Sequence, residues 1–342
     1  MSAPNPLHDF KVTRDQISFV GSDLQRPECV LAEPDGTLWS ADARGGVMRI
    51  DADGKQTLIA QTVANPESGA SPGDEVSRFI LAGTLPNGLA FDPDGSLVIA
   101  NFGTNAVERM TRDGSSTTLL ADLDGEPLGS VNFALADSRG RIWITVHTRQ
   151  DPWIKAVNGH TPDGYILLFD EHGVRIVADG FVGTNEVRFD AAEEWLYVVE
   201  SNARHISRLR VAQDGSLYDR EVYGPADLGG VPDGFAFDVA GNLWITLVNA
   251  DRLIALTPEL EVLTLLDDGV PAGVAAFDEA FFSGAMTPEI LGGGRGTLAP
   301  LMASVTFGGP DLKTVYLGSL MGSALPSFRS PVAGLPLAHW HA

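Results

Sequence analysis

Apolar and polar residues recur along this chain in a short unit that appears five times. Each copy begins with a polar residue, continues as an apolar run, crosses a turn, and reaches a Trp, Tyr or Val eleven or twelve positions later. The five copies are Glu28–Trp39, Asn87–Val98, Asn132–Trp143, Asn185–Tyr197 and Asp233–Trp244. Two apolar runs joined by a tight turn are typical of a β-hairpin. The sequence therefore repeats one β unit, and a weaker sixth copy spans Ser304–Tyr316.

The spacing of these units predicts the size of the repeating sheet. Their final anchor residues lie 45 to 72 residues apart, near or above the roughly 40 to 50 residues of a four-stranded propeller blade. A further strand-like run follows each hairpin, for example at Gly46–Asp51 and Arg252–Leu256. Six blades closed into a ring limit the number of exposed strand edges. We therefore predict an all-β, six-bladed β-propeller with four-stranded blades around a central channel, folded as a single domain over residues 1–342.

The net charge and the cysteine content limit the binding partners and the cellular compartment that we expect for this protein. The formal net charge of −22 repels nucleic acid and anionic membrane surfaces and attracts cations. The chain shows no signal-peptide pattern and no apolar run near the roughly 18 residues of a membrane span. A single cysteine, Cys29, excludes an internal disulfide and fits a reducing compartment. We expect a cytoplasmic protein with no nucleic-acid or membrane partner, and the oligomeric state stays open.

Propeller geometry gives the first residue of each unit a chemical meaning. If the inner strand of every blade starts at the channel mouth, five polar side chains converge there: Glu28, Asn87, Asn132, Asn185 and Asp233. Their oxygens are hard ligands that suit Ca²⁺, Mg²⁺ or Mn²⁺ better than structural zinc. Unpaired buried polar groups cost about 2–7 kcal/mol, so the group requires a partner. The alternative is that each side chain caps a strand end or forms an Asx turn, which fits Asn87 best because a glycine follows it.

The units that carry these residues resemble the SMP-30/gluconolactonase/LRE-like family of six-bladed propellers, relatives of diisopropylfluorophosphatase and the paraoxonases. The resemblance rests on PECVLAEPDGTLWSAD, VNFALADSRGRIWIT, GTNEVRFDAAEEWLYVVES and VPDGFAFDVAGNLWIT and spans most of the chain. It implies that Glu28, Asn132, Asn185 and Asp233 hold one divalent metal ion, with Ca²⁺ first and Mn²⁺, Mg²⁺ or Zn²⁺ as alternatives. It also implies that Asp233 is the catalytic base or nucleophile.

One segment departs from the pattern of the sugar lactonases. Where those members usually carry Arg-x-Asn-Asp-Gly, with the Arg contacting substrate hydroxyls, this chain reads SVNFA at residues 130–134. The missing Arg and the presence of Phe133 favour a less polar lactone or ester. Ser130, Phe133 and Asn87 become predicted substrate-binding residues. Apolar segments at 78–86, 276–286 and 298–302 are expected to roof the pocket.

The loops that follow the second strand of each blade should return to the same mouth. They carry Asp42, Asn101, His147, Asn202 and Asn249. An imidazole beside a metal-bound water can act as a general acid or base, so His147 is a catalytic candidate together with Asp233. The alternative is that His147 only hydrogen-bonds a neighbouring loop. Asn101 and Asn202 are assigned to substrate binding.

These expectations describe a metal-dependent lactonase-type hydrolase, a carboxylic ester hydrolase that opens a lactone or ester of a small, rather apolar molecule. The ion would polarise the carbonyl and Asp233 would activate water. A fold does not fix chemistry, so two alternatives remain. One is a non-hydrolytic isomerase, lyase or condensing enzyme on the same scaffold, and the other is a non-catalytic binding propeller stabilised by an ion.

Overall fold

The protein is a six-bladed β-propeller, as predicted. The computed structural model describes residues 5–62 and 83–341. These residues form six four-stranded antiparallel sheets, each of which is one blade. The turn pairs Asp35-Gly36, Asp94-Gly95, Arg139-Gly140 and Ala240-Gly241 lie between the first and second strands of their blades, where the hairpin pattern predicted them.

The first half of the chain supplies three complete blades. It opens with β1 (Ser18–Val20), which belongs to the last blade. Blade 1 contains β2 (Val30–Ala32), β3 (Leu38–Asp42), β4 (Gly46–Ile50) and β5 (Gln56–Ala60). Blade 2 contains β6 (Pro86–Phe91), β7 (Leu97–Asn101), β8 (Ala106–Met110) and β9 (Ser116–Leu120). A small hairpin of β10 (Asp122–Leu123) and β11 (Glu126–Pro127) precedes blade 3, which contains β12 (Val131–Ala136), β13 (Ile142–Val146), β14 (Gly164–Asp170) and β15 (Gly173–Phe181).

The second half completes the ring. Blade 4 contains β16 (Thr184–Phe189), β17 (Trp195–Glu200), β18 (His205–Val211) and β19 (Leu217–Tyr223). Blade 5 contains β20 (Pro232–Phe237), β21 (Leu243–Leu247), β22 (Arg252–Leu256) and β23 (Val262–Asp267). Helices α1 (Pro271–Ser283) and α2 (Pro288–Leu291) precede blade 6, which contains β24 (Met302–Gly308), β25 (Thr314–Ser319), β26 (Leu325–Arg329) and β1. Short 3-10 turns span Arg14–Gln16, Trp153–Ala156, Ser201–Ala203 and Ala338–Trp340.

Blade 6 closes the ring by joining the two ends of the chain. β1 pairs antiparallel with β26, with Ser18 opposite Ser327 and Val20 opposite Leu325. The inner strands β2, β6, β12, β16, β20 and β24 contact one another in that order, and β24 returns to β2. β1 therefore covers the outer edge of β26 and ties the N-terminal part of the chain to the last blade.

The inner strands β6, β12, β16 and β20 share an irregularity where they begin. In β12 the pairing with β13 shifts between Val131 and Phe133, so Asn132 falls outside the regular ladder. The same shift occurs at 184–187 in β16, at 232–235 in β20 and at 86–89 in β6. A bulge bends a strand and changes the direction of a side chain. The polar residue that opens each of these units therefore leaves the ladder at the channel mouth.

The tryptophans that end three of the units are buried anchors of the core. Trp39, Trp143 and Trp244 have exposures of 1%, 0% and 0%. The indole Nε1 of Trp143 donates to Asp137 Oδ2 at 2.9 Å, and that of Trp244 donates to Asp238 Oδ2 at 2.9 Å. A buried indole N–H requires such a partner. The acidic residue of the repeated turn is therefore structural.

Helix α1 crosses the channel mouth at which the inner strands begin, which we call the upper mouth. Pro271 occupies its first turn, and Gly284 ends it with a left-handed φ of 69°. Phe277, Ala280 and Phe281 are buried on one face at helical spacing. In the described residues, no helix combines the length and apolar character that a bilayer crossing needs.

The C-terminal segment after β26 covers the opposite, lower mouth. Leu335 N donates to Phe237 O at 2.8 Å, and Gly334 forms an isolated bridge with Asp238. His339 Nε2 donates to Ala32 O at 2.8 Å, and its ring lies 5.0 Å from that of Phe91. Leu337 packs against the central core. The C-terminal segment therefore lies across part of the lower mouth.

Candidate active site

The five polar residues that open the repeated units line one pocket at the upper mouth. The pocket encloses about 670 Å³, part of which is open to solvent. Its polar floor contains Glu28, Asn87, Asn132, Asn185 and Asp233, whose exposures lie between 1% and 7%. The convergence that the sequence predicted is present in the structure.

Asn87 differs from the other four because both ends of its amide are occupied. Its Oδ1 accepts from the Arg26 guanidinium at 2.6 Å, and its Nδ2 donates to the backbone oxygen of Asn132 at 3.0 Å. A hydrogen bond from a charged donor is stronger than one between neutral groups. Asn87 is therefore a support for Arg26 and Asn132, and the positive guanidinium at its oxygen disfavours a cation there.

Three of the remaining side chains present oxygens that have no hydrogen-bond partner. They are Glu28 Oε2, Asn132 Oδ1 and Asn185 Oδ1, all buried. Asn185 Nδ2 donates to Asp233 Oδ1 at 2.6 Å and to Ser201 Oγ at 3.0 Å, which fixes the orientation of its amide. A buried acceptor without a donor costs about 1–3 kcal/mol. Three such oxygens beside a carboxylate form a set that a cation would satisfy.

The chemistry of this set fits a hard divalent ion. Two carboxylates and two amides supply only oxygen, which Ca²⁺ and its relatives prefer. Within residues 5–62 and 83–341, no group of three or more His, Cys, Asp and Glu side chains is arranged to hold a metal. The set described here contains only two acidic residues and depends on amide oxygens for the rest.

Burial controls the charge of the two carboxyl groups. It raises the pKa of Glu28 well above its usual range, with Arg26 opposing and Asp233 adding to the shift. Burial likewise raises the pKa of Asp233 to about 7, assisted by the charge of Glu186 and opposed by the hydrogen bond from Asn185. Two carboxylates withdrawn from water destabilise each other's charged form. A bound divalent cation would stabilise both as anions.

Sequence reasoning missed Arg26, which lines the pocket, and Glu186, whose charge raises the pKa of Asp233 from outside the lining. Arg26 lines the pocket and donates to Pro86 O at 3.0 Å. Burial lowers its pKa, and the charges of Glu28 and Asp233 oppose that shift. Glu186 pairs with Arg188 at 2.7 Å, and burial raises the pKa of Glu186 to about 7 against the effect of Arg188. The signal in the sequence was a charged residue one or two positions from the polar residue that opens the unit.

A second layer of polar side chains, the polar belt, consists of His147, Asn202 and Asn249, and all three line the pocket. They come from the loops after the second strands of blades 3, 4 and 5. Asn202 Nδ2 donates to Ala156 O at 3.0 Å and faces His147 Nε2 at 3.3 Å. Because an amide N–H donates, Nε2 is the acceptor and the ring carries its proton on Nδ1.

The environment of His147 makes its ring neutral. Burial lowers the pKa of His147 to about 4, opposed by the charge of Asp163 and by the nearby Thr184 backbone. At neutral pH the imidazole is uncharged, and its lone pair faces an amide donor. It is a weak proton acceptor in this arrangement.

Three of the predicted substrate-binding residues lie outside the pocket lining. The Asn101 side chain accepts a hydrogen bond from Leu85 N at 3.0 Å and donates one to Thr84 Oγ1 at 2.9 Å. Ser130 is buried and pairs with the loop of His147 through its backbone. Phe133 lies in the core beneath the floor, with the Arg188 guanidinium 4.6 Å from its ring. The geometry brings Asn87 and Asn202 to the pocket, but not these three.

Asp42 is also outside the pocket lining, because it is held by a different partner. Its Oδ2 accepts from the Arg44 guanidinium at 2.8 Å, and its side chain is fully buried. Asp42 follows Glu28 at the spacing at which Asn202 follows Asn185, to within a few positions. Equivalent positions of the repeat therefore differ in role: Asp42 of blade 1 forms a buried ion pair, whereas Asn202 of blade 4 lines the pocket.

The upper walls of the pocket are apolar. They are formed by Phe102, Trp153, Val157, Val231, Val248, Phe277, Leu291, Leu301 and Leu320. Of the segments expected to roof the pocket, 276–286 contributes Phe277 and 298–302 contributes Leu301. Residues 78–82 of the third segment lie outside the described residues. Phe133 was therefore not the source of the apolar character, which comes from the walls above the floor.

A closed six-bladed propeller with an oxygen-lined upper mouth defines the class of this protein, and the comparison of its sequence with protein families names it. The family model for the SMP-30/Gluconolactonase/LRE-like region matches residues 81–271, which is more than half of the chain. The chain belongs to this family. The matched segment carries Asn87, Asn132, Asn185 and Asp233, whereas Glu28 precedes it and joins the floor through the fold.

Proteins with different names are similar to this chain in sequence. A 6-deoxy-6-sulfogluconolactonase of Pseudomonas putida is 27% identical over 180 residues, which are 50% of this chain and 52% of that protein. The match therefore spans about half the length of that relative. Regucalcin of Oryctolagus cuniculus is 25% identical over 239 residues, which are 68% of this chain and 75% of the relative.

Solved structures with the same fold include two from bacteria. A gluconolactonase from Xanthomonas campestris superposes with a TM-score of 0.64 at 19% identity, covering 92% of this chain and 89% of that one. A regucalcin from Agrobacterium tumefaciens, described as calcium-binding, has a TM-score of 0.64 at 14% identity, covering 93% and 96%. At these identities the likeness shows the fold.

Proposed function

We propose that this protein is a divalent-metal-dependent lactonase that hydrolyses a lactone or ester of a small molecule with an apolar portion. The observation that carries the proposal is the set of three buried, unpartnered oxygens on Glu28, Asn132 and Asn185 beside Asp233. The names of two relatives support it, since one is a sulfogluconolactonase and one solved structure is described as calcium-binding. The apolar upper walls support a substrate less polar than a sugar lactone.

Glu28, Asn132, Asn185 and Asp233 are the residues that would hold the ion. An ion held by these residues would supply Lewis-acid stabilisation for the negative charge that develops on a lactone carbonyl oxygen. Arg26 adds a fixed positive charge beside the same carboxylates. Asn87 holds Arg26 in place, and Asn185 holds Asp233 through its amide.

Asp233 is the proposed general base. With a cation bound, its carboxyl group stays ionised, which is the form that accepts a proton. Water attacks the carbonyl carbon while Asp233 takes its proton, and the proton then passes to the ring oxygen as the ring C–O bond breaks. The product is a hydroxy acid, so atoms and charges balance. His147 is neutral and its lone pair faces Asn202, which favours Asp233 for this role.

Metal removal and restoration test the proposal. The protein is treated with a chelator, dialysed, and assayed with alkyl and aryl lactones and with gluconolactone as Ca²⁺, Mn²⁺, Mg²⁺ and Zn²⁺ are added back singly. We expect no turnover after chelation, recovery with at least one ion, and faster turnover of the apolar lactones. In ¹⁸O-labelled water the product carboxylate should gain one label. Full activity without an ion refutes metal dependence, and turnover without label refutes hydrolysis.

A further inference from the structure

Asn249 carries a buried hydrogen-bond donor that has no partner among the described residues. The residue lies just after β21, lines the pocket and is 1% exposed. Its Oδ1 accepts from the backbone N–H of Val231 at 2.8 Å, whereas its Nδ2 has no hydrogen-bond partner. Rotating the amide by half a turn would set two donors against each other at Val231. The NH₂ group is therefore held in one orientation with its N–H bonds unused.

The asparagines at the corresponding positions of other blades do use their NH₂ groups, so the unpaired donor of Asn249 is not a general feature of the repeat. Asn202, at the corresponding place in blade 4, spends its NH₂ group on Ala156 O at 3.0 Å and on His147. Asn101, in blade 2, spends its NH₂ group on Thr84 at 2.9 Å and on Glu108 at 3.1 Å. Folded proteins leave few buried donors unpaired, because each costs about 1–3 kcal/mol. In blade 5 the unpaired donor of Asn249 lies at the wall of the pocket, where a bound molecule could satisfy it.

We propose that Asn249 is a substrate-binding residue whose NH₂ group donates a hydrogen bond to an oxygen acceptor of the bound lactone. This inference rests on the proposed function. The apolar walls next to Asn249 include Val231 and Val248. The site then recognises a lactone by an apolar body and by its carbonyl oxygen, one lone pair of which accepts from Asn249 while the other faces the floor. A site that hydrogen-bonds a substrate oxygen discriminates against analogues that lack it, because its donor is then left unpaired.

Two variants separate the donor from the structural role of the residue. Asn249→Asp keeps the size of the side chain and an oxygen for Val231 N–H, but removes the NH₂ group. Asn249→Ala removes both functions and adds no charge. The probe is an alkyl-substituted δ-lactam, an unreactive analogue of a lactone, titrated by calorimetry into Ca²⁺-loaded protein. Both variants should bind the lactam about tenfold more weakly than wild type, which is one neutral hydrogen bond.

The controls distinguish the inference from its alternatives. Asn249→Asp should melt within a few degrees of wild type, and Asn249→Ala should bind Ca²⁺ as wild type does. In turnover of the matching lactone, KM should rise more than kcat falls. Lactam binding unchanged in Asn249→Asp overturns the inference, as does a wild type that does not bind the lactam. Failure of wild type to hydrolyse any lactone is a separate result, which refutes the proposed function.

Discussion

Asn87 and Asn132 occupy the same position in neighbouring blades, yet their side chains have different roles. Each opens an inner strand at a register shift and lines the same pocket. The Asn87 side chain accepts a hydrogen bond from Arg26 and donates one to the backbone oxygen of Asn132, whereas Asn132 Oδ1 has no hydrogen-bond partner. The difference arises from one side chain, Arg26, which reaches Asn87 from blade 1.

This contrast teaches that a repeat fixes where a polar group is placed but not what it does. The same holds for buried carboxylates. Asp233 has few donors around it, and burial raises its pKa to about 7. Glu200, at the end of β17, is also buried but receives several donors, and its pKa falls to about 2. Partners decide whether a buried oxygen is a structural element or a site for an ion.

The largest expected effect is on catalysis at Asp233. Asp233→Asn keeps an oxygen for the Asn185 amide but cannot accept a proton, so turnover of a lactone should fall about 10²–10⁴-fold. Steady-state kinetics with Ca²⁺ present measure the loss. Asp53→Asn, the same change at an exposed turn, is the control and should leave turnover unaltered. Turnover by Asp233→Asn close to that of wild type would remove Asp233 from the base role.

The next effect concerns stability at Glu200. Burial alone would raise its pKa, but hydrogen bonds from His205, Ser207 and Val182 N and the charge of Arg220 together lower it to about 2 from 4.5. A folded pKa below the unfolded value gives stability that is present above pH 4.5 and is lost as pH falls toward 2. Glu200→Gln should therefore cost up to about 3 kcal/mol of unfolding free energy at pH 7.

Urea unfolding at several pH values checks this assignment. The difference in unfolding free energy between wild type and Glu200→Gln should be constant from pH 7 to pH 5 and should shrink below pH 4.5, the unperturbed value. A difference that stays the same at pH 4 and pH 3.5 would mean that the ionised Glu200 is not the stabilising form.

The smallest effects separate the two asparagines directly. Asn87→Ala removes two hydrogen bonds, one of them to a charged donor, and should lower the unfolding free energy of the metal-free protein by about 1–3 kcal/mol. Asn132→Ala removes a buried oxygen that has no hydrogen-bond partner, so it should not lower the unfolding free energy of the metal-free protein. Equal losses for the two variants in urea unfolding would contradict the division of roles.

Much of the fold could be predicted because the inner three strands of each blade have strong patterns. The outer strands could not, since β9 (STTLL) and β19 (LYDREVY) are mostly exposed and lack an apolar period. β1 was missed because its pairing with β26 joins distant parts of the chain. The C-terminal segment has no period, and only its contacts with Phe91 and Phe237 define its place.

The candidate site was predictable in its floor and less so in its walls. The five floor residues recur in register, so their convergence follows from the repeat. Arg26 has no counterpart in other blades, and only geometry reveals that it binds Asn87. Phe133 alternates into the core because the bulge at Asn132 resets the direction of the strand. A local irregularity thus decided which neighbour of a floor residue reaches the pocket.

Calorimetric titration of chelator-treated protein with Ca²⁺ tests the central claim most directly. If Glu28, Asn132, Asn185 and Asp233 hold one ion, wild type binds one Ca²⁺ per chain, Asn132→Ala binds it at least about tenfold more weakly, and Asn87→Ala binds it nearly as tightly as wild type. Removing one of four oxygen ligands accounts for that loss. Binding that Asn132→Ala leaves untouched, or no binding by wild type of Ca²⁺, Mn²⁺, Mg²⁺ or Zn²⁺, would contradict the account.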